Sequence, residues 1–153
     1  MIVSADEHLV EPAEFWDGWL RDGLPGKDRD RAPRIENGAL VVDGQAMPVF
    51  LLFPQLIAYS DAQPGVGDVA GRLAMMDANG IDVSLLFPQR AMGMFATRDP
   101  AFRTRCFTLY NEWLADFCRR SNGRLHGVAV LPTVYEPAET TDCLAHLKSL
   151  GFR

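Results

Sequence analysis

The sequence predicts an α/β fold built on a parallel sheet. Three short apolar segments, near residues 2–9, 81–87 and 127–131, alternate with longer segments that have a helical apolar period. The second and third segments are almost continuously apolar and end at Pro88 and Pro132, which is typical of strands buried on both faces. Strands that alternate with helices in this way indicate βα units.

Four helices are predicted, over about residues 12–23, 68–79, 99–121 and 137–150. Asp68 is a typical N-terminal cap, and Asp99 followed by Pro100 is a second helix start. The spacing of apolar residues predicts which side of each helix is buried. The expected buried positions are Phe15, Trp16, Trp19 and Leu20, then Val69, Leu73 and Met76, then Phe102, Cys106, Phe107, Tyr110, Trp113, Leu114 and Phe117, and finally Leu144, Leu147 and Leu150.

Residues 27–67 interrupt this alternation and are predicted to be a hairpin and loop insertion within a single domain of residues 1–153. Asn37-Gly38 and Asp43-Gly44 are turn signals on either side of the apolar residues 39–42. They predict a β-hairpin or a small meander. The remainder is rich in proline and glycine, and an excursion of this size after a strand often shapes the mouth of a pocket.

Composition indicates an ordinary globular protein. The 153 residues are 48% hydrophobic and carry a formal net charge of −5, which argues against partners such as nucleic acid or an anionic membrane surface. No apolar run reaches the roughly 18 residues of a membrane span, and no signal peptide is recognisable. Three cysteines without a C-x-x-C pair predict free thiols in the cytoplasm rather than disulfides or a zinc site.

Asp6 and His8 are the most chemically distinctive pair. Side chains alternate along a strand, so Ser4, Asp6 and His8 are expected on one face, near the carboxyl end of the first strand. A carboxylate and an imidazole in this arrangement are half of a metal site. The spacing alone favours a surface acid beside a satisfied histidine. His126, at the amino end of its strand, and His146, expected to be exposed on the fourth helix, are weaker candidates.

Four blocks of sequence together carry a family resemblance. The first is Asp6-Glu7-His8-Leu9-Val10-Glu11-Pro12 with Phe15-Trp16, and the others are residues 72–82, 110–114 and 124–132. In this order they resemble the amidohydrolase-related family of metal-dependent TIM barrels, in the branch of aminocarboxymuconate semialdehyde decarboxylase. The resemblance implies the N-terminal part of such a barrel, with about three of its eight βα units.

The same resemblance implies a metal-dependent decarboxylase or hydrolase that acts on a small carboxylated substrate, such as an aromatic acid. Asp6 and His8 would bind a divalent ion, Zn or Mn, whose other ligands come from later strands in the family. No catalytic residue is therefore expected in this chain, which we expect to be truncated and inactive alone. The alternative is a non-catalytic fragment, or a half-barrel that acts with a complementing chain or as a homo-oligomer through its exposed barrel edges.

Residues near the same rim are candidates for substrate binding: Gln89 after the second strand, and Glu11 and Trp16 after the first. Each has a structural alternative, since Gln89 follows an ordinary strand end, Glu11 can cap its own helix and Trp16 can belong to the core. Thr133, after the third strand, is a weaker candidate. No nucleophile motif or phosphate-binding glycine loop accompanies them.

Overall fold

Six strands and four helices are present in the computed structural model, which describes residues 1–47, 65, 67–132 and 137–153. The strands are β1 (Val3–Leu9), β2 (Arg34–Glu36), β3 (Ala39–Val42), β4 (Gln45–Ala46), β5 (Val83–Pro88) and β6 (Leu125–Gly127). The helices are α1 (π-helical Glu14–Leu20 continued by Arg21–Gly23), α2 (Val69–Ala78), α3 (Pro100–Arg119) and α4 (Pro137–Ser149). Short 3₁₀ segments cover Gly26–Arg31 and Arg90–Ala96.

The main sheet is parallel and has the strand order β1-β5-β6. Its register pairs His8 with Phe87, and Leu85 with His126. This confirms the predicted α/β fold with a parallel sheet. Among the described residues the sheet remains open, with β1 and β6 as its two edges, and no barrel is closed.

The central strand β5 is buried on one face only, whereas the sequence predicted burial on both. Leu86 belongs to the same apolar core as Tyr110 and Leu114 of α3. The opposite face retains contact with solvent, and we call it the open face of the sheet. The buried positions of β5 are Ser84, Leu86 and Pro88, and the half-exposed positions are Val83, Leu85 and Phe87.

Strand β6 is shorter and earlier than the predicted segment 127–131. The N–H of Val128 still donates to the carbonyl of Leu86 at 2.8 Å. Beyond it, the N–H and C=O of Val130 bond to the side-chain amide of Asn111 in α3, at 2.9 and 2.8 Å. A side chain of the neighbouring helix thus takes the place of a strand partner.

Helix α1 buries fewer aromatic rings than its sequence predicted. Phe15, Trp16 and Leu20 are buried, but Trp19 is 40% exposed. The helix has π-type hydrogen bonding, which joins residues five apart. Phe15 and Leu20 therefore share the core side, and Trp19 lies away from it.

The predicted meander is confirmed as an antiparallel sheet of order β2-β3-β4. Both turns have positive φ at their two central residues, 50° and 78° at Asn37-Gly38 and 48° and 76° at Asp43-Gly44, as this class of two-residue turn requires. Asp43 also accepts the N–H of Arg98 at 2.8 Å, which fastens the meander to the segment after β5. The insertion beyond Met47, except Gly65 and Gly67, lies outside the described residues.

Side-chain caps begin α2 and α3 as predicted. Asp68 and Asp99 each accept the N–H of the third residue along, at 2.6 and 3.1 Å. All seven predicted apolar positions of α3 are buried. In α2, Met76 is buried while Val69 and Leu73 pack against the core partly exposed.

Helix α4 is less well buried than its leucine spacing predicted. Leu147 is buried, but Leu144 is 52% exposed, so the predicted inward stripe is wrong at that position. The last leucine, Leu150, is half-buried. None of the described helices has both the length and the apolar character needed to cross a bilayer.

The three cysteines are free. Cys106 is buried, and burial raises the pKa of its thiol to about 12. Cys118 is half-buried, and burial raises its pKa to about 11. Both sulfurs are therefore neutral packing groups at physiological pH, not thiolate ligands.

Candidate functional site

Asp6 and His8 lie together near the carboxyl end of β1. Oδ1 of Asp6 is 4.0 Å from Nε2 of His8, and the two side chains are 85% and 59% exposed. His8 pairs with Phe87 in the sheet register, which puts it on the open face. A carboxylate and an imidazole are thus presented to solvent side by side, without other protein groups bonded to these atoms among the described residues.

Ser4 does not share this face, contrary to the predicted alternation. The register of β1 against β5 shifts between Ser4 and Glu7, as at a β-bulge, so the strict two-residue period fails there. Ser4 pairs with the buried Ser84 on the helix side, and its hydroxyl donates to Glu7 at 2.6 Å. The bulge separates Ser4 from the candidate metal ligands.

Arg72 of α2 supports the same end of β1 from the helix side. Its guanidinium is only 3% exposed, donates to the carbonyl of His8 at 2.8 Å and lies 3.4 Å from a carboxylate oxygen of Glu7. Burial lowers the pKa of Arg72 from its ordinary value, and the Glu7 carboxylate opposes that shift. Arg72 therefore fixes the backbone that bears His8 while satisfying Glu7.

Glu11 is a buried carboxylate, 1% exposed, just after β1. It accepts the N–H groups of Gln89 and Arg90, at 3.1 and 2.8 Å. Glu11 therefore caps the segment that follows β5, whereas the sequence suggested a cap for its own helix. Burial raises the pKa of Glu11 from 4.5 to about 7, against the lowering effect of its backbone hydrogen bonds.

The other two rim candidates differ in exposure. Gln89 is half-buried and directly follows β5. Trp16 is 1% exposed and donates its indole N–H to the carbonyl of Glu11 at 3.2 Å. The ring of Trp16 therefore belongs to the core, as its structural alternative stated. Thr133 lies outside the described residues.

A cleft of about 290 Å³ lies beside Trp16, away from Asp6 and His8. None of the residues that line it belongs to β1 or β5. Its walls come from α1, the 3₁₀ segment Gly26–Arg31 and the start of β2, and are mostly charged. They include Asp17, Arg21, Arg29, Asp30 and Arg34.

The remaining histidines do not complete a metal site. His126 is exposed in β6. His146 is half-buried, not exposed as predicted, because its Nε2 lies 3.2 Å from a carboxylate oxygen of Glu112 in α3. Within the described residues no group of three or more His, Cys, Asp or Glu side chains is placed to bind an ion.

Sequence reasoning missed Arg72 and Asn111 as supports of the sheet. Each is a buried polar side chain on the apolar side of its helix, 3% and 1% exposed. A polar residue at a buried helical position needs a hydrogen-bond partner. The polar residues Arg72 and Asn111 among buried helical positions therefore indicated such contacts. The sequence did not reveal that the partners are backbone groups at or beyond the ends of β1 and β6.

Comparison with solved structures gives a clear relation of fold. The amidohydrolase map2389c from Mycobacterium avium subsp. paratuberculosis K-10 matches with a TM-score of 0.70 and 16% identity, over 99% of this chain and 47% of that protein. The chain thus has the fold of about half of an amidohydrolase. No family model matches the sequence, and no curated protein matches it.

Proposed function

We propose that this chain contributes Asp6 and His8 to the metal site of an amidohydrolase-type enzyme. The observation that carries the proposal is the 4.0 Å approach of the two side chains near the carboxyl end of β1. Active sites of barrel enzymes lie at the carboxyl ends of their strands. The fold of the mycobacterial amidohydrolase supports the same reading.

The donor set fits part of a divalent metal site. Carboxylate oxygen and imidazole nitrogen are ordinary ligands of Zn²⁺, and both also suit Mn²⁺. Because the described residues offer no third ligand, the proposal assigns the remaining ligands to protein outside them. A bound ion there supplies Lewis-acid activation of a water or of a substrate oxygen.

The chain's own residues orient this half of the site. Arg72 fixes the backbone at His8, and Glu11 fixes the backbone at Gln89. We assign Gln89 to contact with a small carboxylated substrate, such as an aromatic acid. The reaction is decarboxylation or hydrolysis in the cytoplasm, and the sequence resemblance to the decarboxylase branch supports the first.

Metal titration of the purified chain tests this function. We expect weak Zn²⁺ or Mn²⁺ binding by calorimetry, because stable sites need three or four ligands. Asp6→Asn and His8→Asn should each lower the affinity by about tenfold or more. His126→Asn is the matched control, since it removes another exposed histidine from the sheet. Equal binding by all four proteins would overturn the assignment.

A second candidate function is association, with the chain acting as a half-barrel. The open face carries the half-exposed Val83, Leu85 and Phe87, and nearby Ile2 and Val3 are 58% and 45% exposed. Both edges of the main sheet lack strand partners among the described residues. The chain also spans about half of its structural neighbour. A complementing chain, or a second copy, would cover these groups.

The two candidates differ in a simple assay. If the chain acts only by association, the purified protein with Zn²⁺ or Mn²⁺ should not convert carboxylated aromatic acids. Sedimentation of the same protein should then show oligomers. Turnover by a monodisperse monomer would contradict the association candidate. It would support a complete site within this chain.

A further inference from the structure

Glu11 joins the ends of two neighbouring strands through a single carboxylate. It follows β1 by two residues, and both of its oxygens accept backbone N–H groups at the end of β5. The bond from Arg90 is 2.8 Å and the bond from Gln89 is 3.1 Å. These partners are 79 and 78 residues away in the chain, so the contact fixes the relative position of two strand ends.

The carboxylate of Glu11 is almost completely shielded from solvent, since the residue is 1% exposed. Trp16 of α1, also buried, donates its indole N–H to the backbone carbonyl of Glu11 at 3.2 Å. Two titratable or charged groups lie nearby. Arg90 is buried and its side chain has other partners. Tyr110 of α3 is also buried, and both burial and the charge of Glu11 raise its pKa. No described cation is bonded to Glu11, so backbone dipoles and the strength of desolvation govern its ionisation.

The two protonation states of a carboxyl group differ in hydrogen bonding. An ionised carboxylate accepts at both oxygens, and its bonds are charge-assisted and strong. A protonated carboxyl group has a hydroxyl that donates, so only one oxygen remains a good acceptor. The bond from Gln89 is longer than the bond from Arg90, so it is expected to be lost before the bond from Arg90.

We propose that Glu11 is a proton-linked positioning residue, which holds the backbone of Gln89 and Arg90 when ionised and releases Gln89 when protonated. The 3₁₀ segment Arg90–Ala96 begins at one of these two residues, three positions after Phe87, which pairs with His8 in the sheet register. Burial raises the pKa of Glu11 to about 7, so the change falls within the physiological range. This inference goes beyond the proposed function and does not depend on a metal or a substrate.

Backbone NMR of the full chain tests the proposal directly. The amide resonances of Gln89 and Arg90 should shift together with one midpoint near pH 7. Below that midpoint, exchange protection of the Gln89 amide should fall by about tenfold. A midpoint near 4.5, the ordinary value, or no shift at either amide would overturn the proposal.

Two variants separate this effect from other titrations. Glu11→Gln cannot ionise, so the common transition should vanish. His8→Asn removes the imidazole nearest in sequence, and the transition should persist unchanged. If Glu11→Gln does not fold, the midpoint in the wild type and its persistence in His8→Asn still test the assignment to Glu11. Loss of the transition in His8→Asn would assign it to histidine and contradict the proposal.

Discussion

The guanidinium of Arg72 donates a 2.8 Å hydrogen bond to the backbone carbonyl of His8, 64 residues earlier in the chain. The bond ties helix α2 to the end of β1 from beneath, while the His8 side chain faces the other way. The same guanidinium lies 3.4 Å from Glu7. A change at Arg72 therefore tests whether the candidate metal ligands depend on support from the helix layer.

Replacing Arg72 with Met should lower the free energy of unfolding by about 2–3 kcal/mol. The change leaves the His8 carbonyl and the half-buried Glu7 carboxylate without this partner, and each loss carries a desolvation penalty. Urea denaturation measures the loss. Arg119→Met is the control, since Arg119 is 65% exposed and pairs with Asp116 on the surface, where such pairs are worth about 0–1 kcal/mol. Similar losses for both variants would contradict a structural role for Arg72.

The free energy of unfolding should fall as the pH rises from about 4.5 to about 7 because of Glu11. Its pKa is about 7 in the folded chain against an ordinary 4.5, so the folded state binds the proton more tightly. The stabilisation is full below pH 4.5 and is lost as pH rises through about 7. The difference between these two pKa values corresponds to a loss of about 3 kcal/mol in the free energy of unfolding.

Glu11→Gln should remove most of this pH dependence, because the amide is neutral throughout. Unfolding curves in urea at several pH values measure it. Glu14→Gln is the matched control, since Glu14 is an exposed neighbour. A stability profile of Glu11→Gln that runs parallel to that of the wild type would refute the raised pKa.

Asn111→Ala should cost about 2–3 kcal/mol in the free energy of unfolding. The change leaves the buried N–H and C=O of Val130 without the partners they have now, and each lost partner carries a desolvation penalty. Asn79→Ala, which removes an exposed bond to Met75, should cost about 1 kcal/mol or less. An Asn111→Ala loss no greater than that of Asn79→Ala would show that Val130 finds other partners.

Adjacent residues of β5 provide a test of the open face. Leu85→Asp, on the half-exposed side, should cost about 1–2 kcal/mol and shift the chain towards monomer in sedimentation. Leu86→Asp places an unpaired charge in the core, where Leu86 is 0% exposed, and should prevent folding, at more than about 4 kcal/mol. Unchanged oligomer size in Leu85→Asp would remove the open face from the association surface.

The sequence by itself determined the local structure of this protein. Turn dipeptides such as Asn37-Gly38 require positive φ, Asp68 and Asp99 satisfy free helix N–H groups, and the period of α3 defines its buried side. These signals act between residues that are close in the chain, so they do not depend on how distant segments pack. The pairing of Asp6 with His8 was likewise predictable, because residues two apart along a strand face the same way.

Only the tertiary structure decided which distant groups the buried polar side chains meet. Glu11 and Arg72 bond to partners 64–79 residues away, and no local period specifies such contacts. The bulge in β1 places Ser4 on the opposite face from the one expected. Strand β5 is buried on its helix side and partly exposed on the open face, although its sequence is almost continuously apolar. These outcomes depend on the packing of whole elements, because the cost of burying a polar group is set by the partners that the fold brings to it.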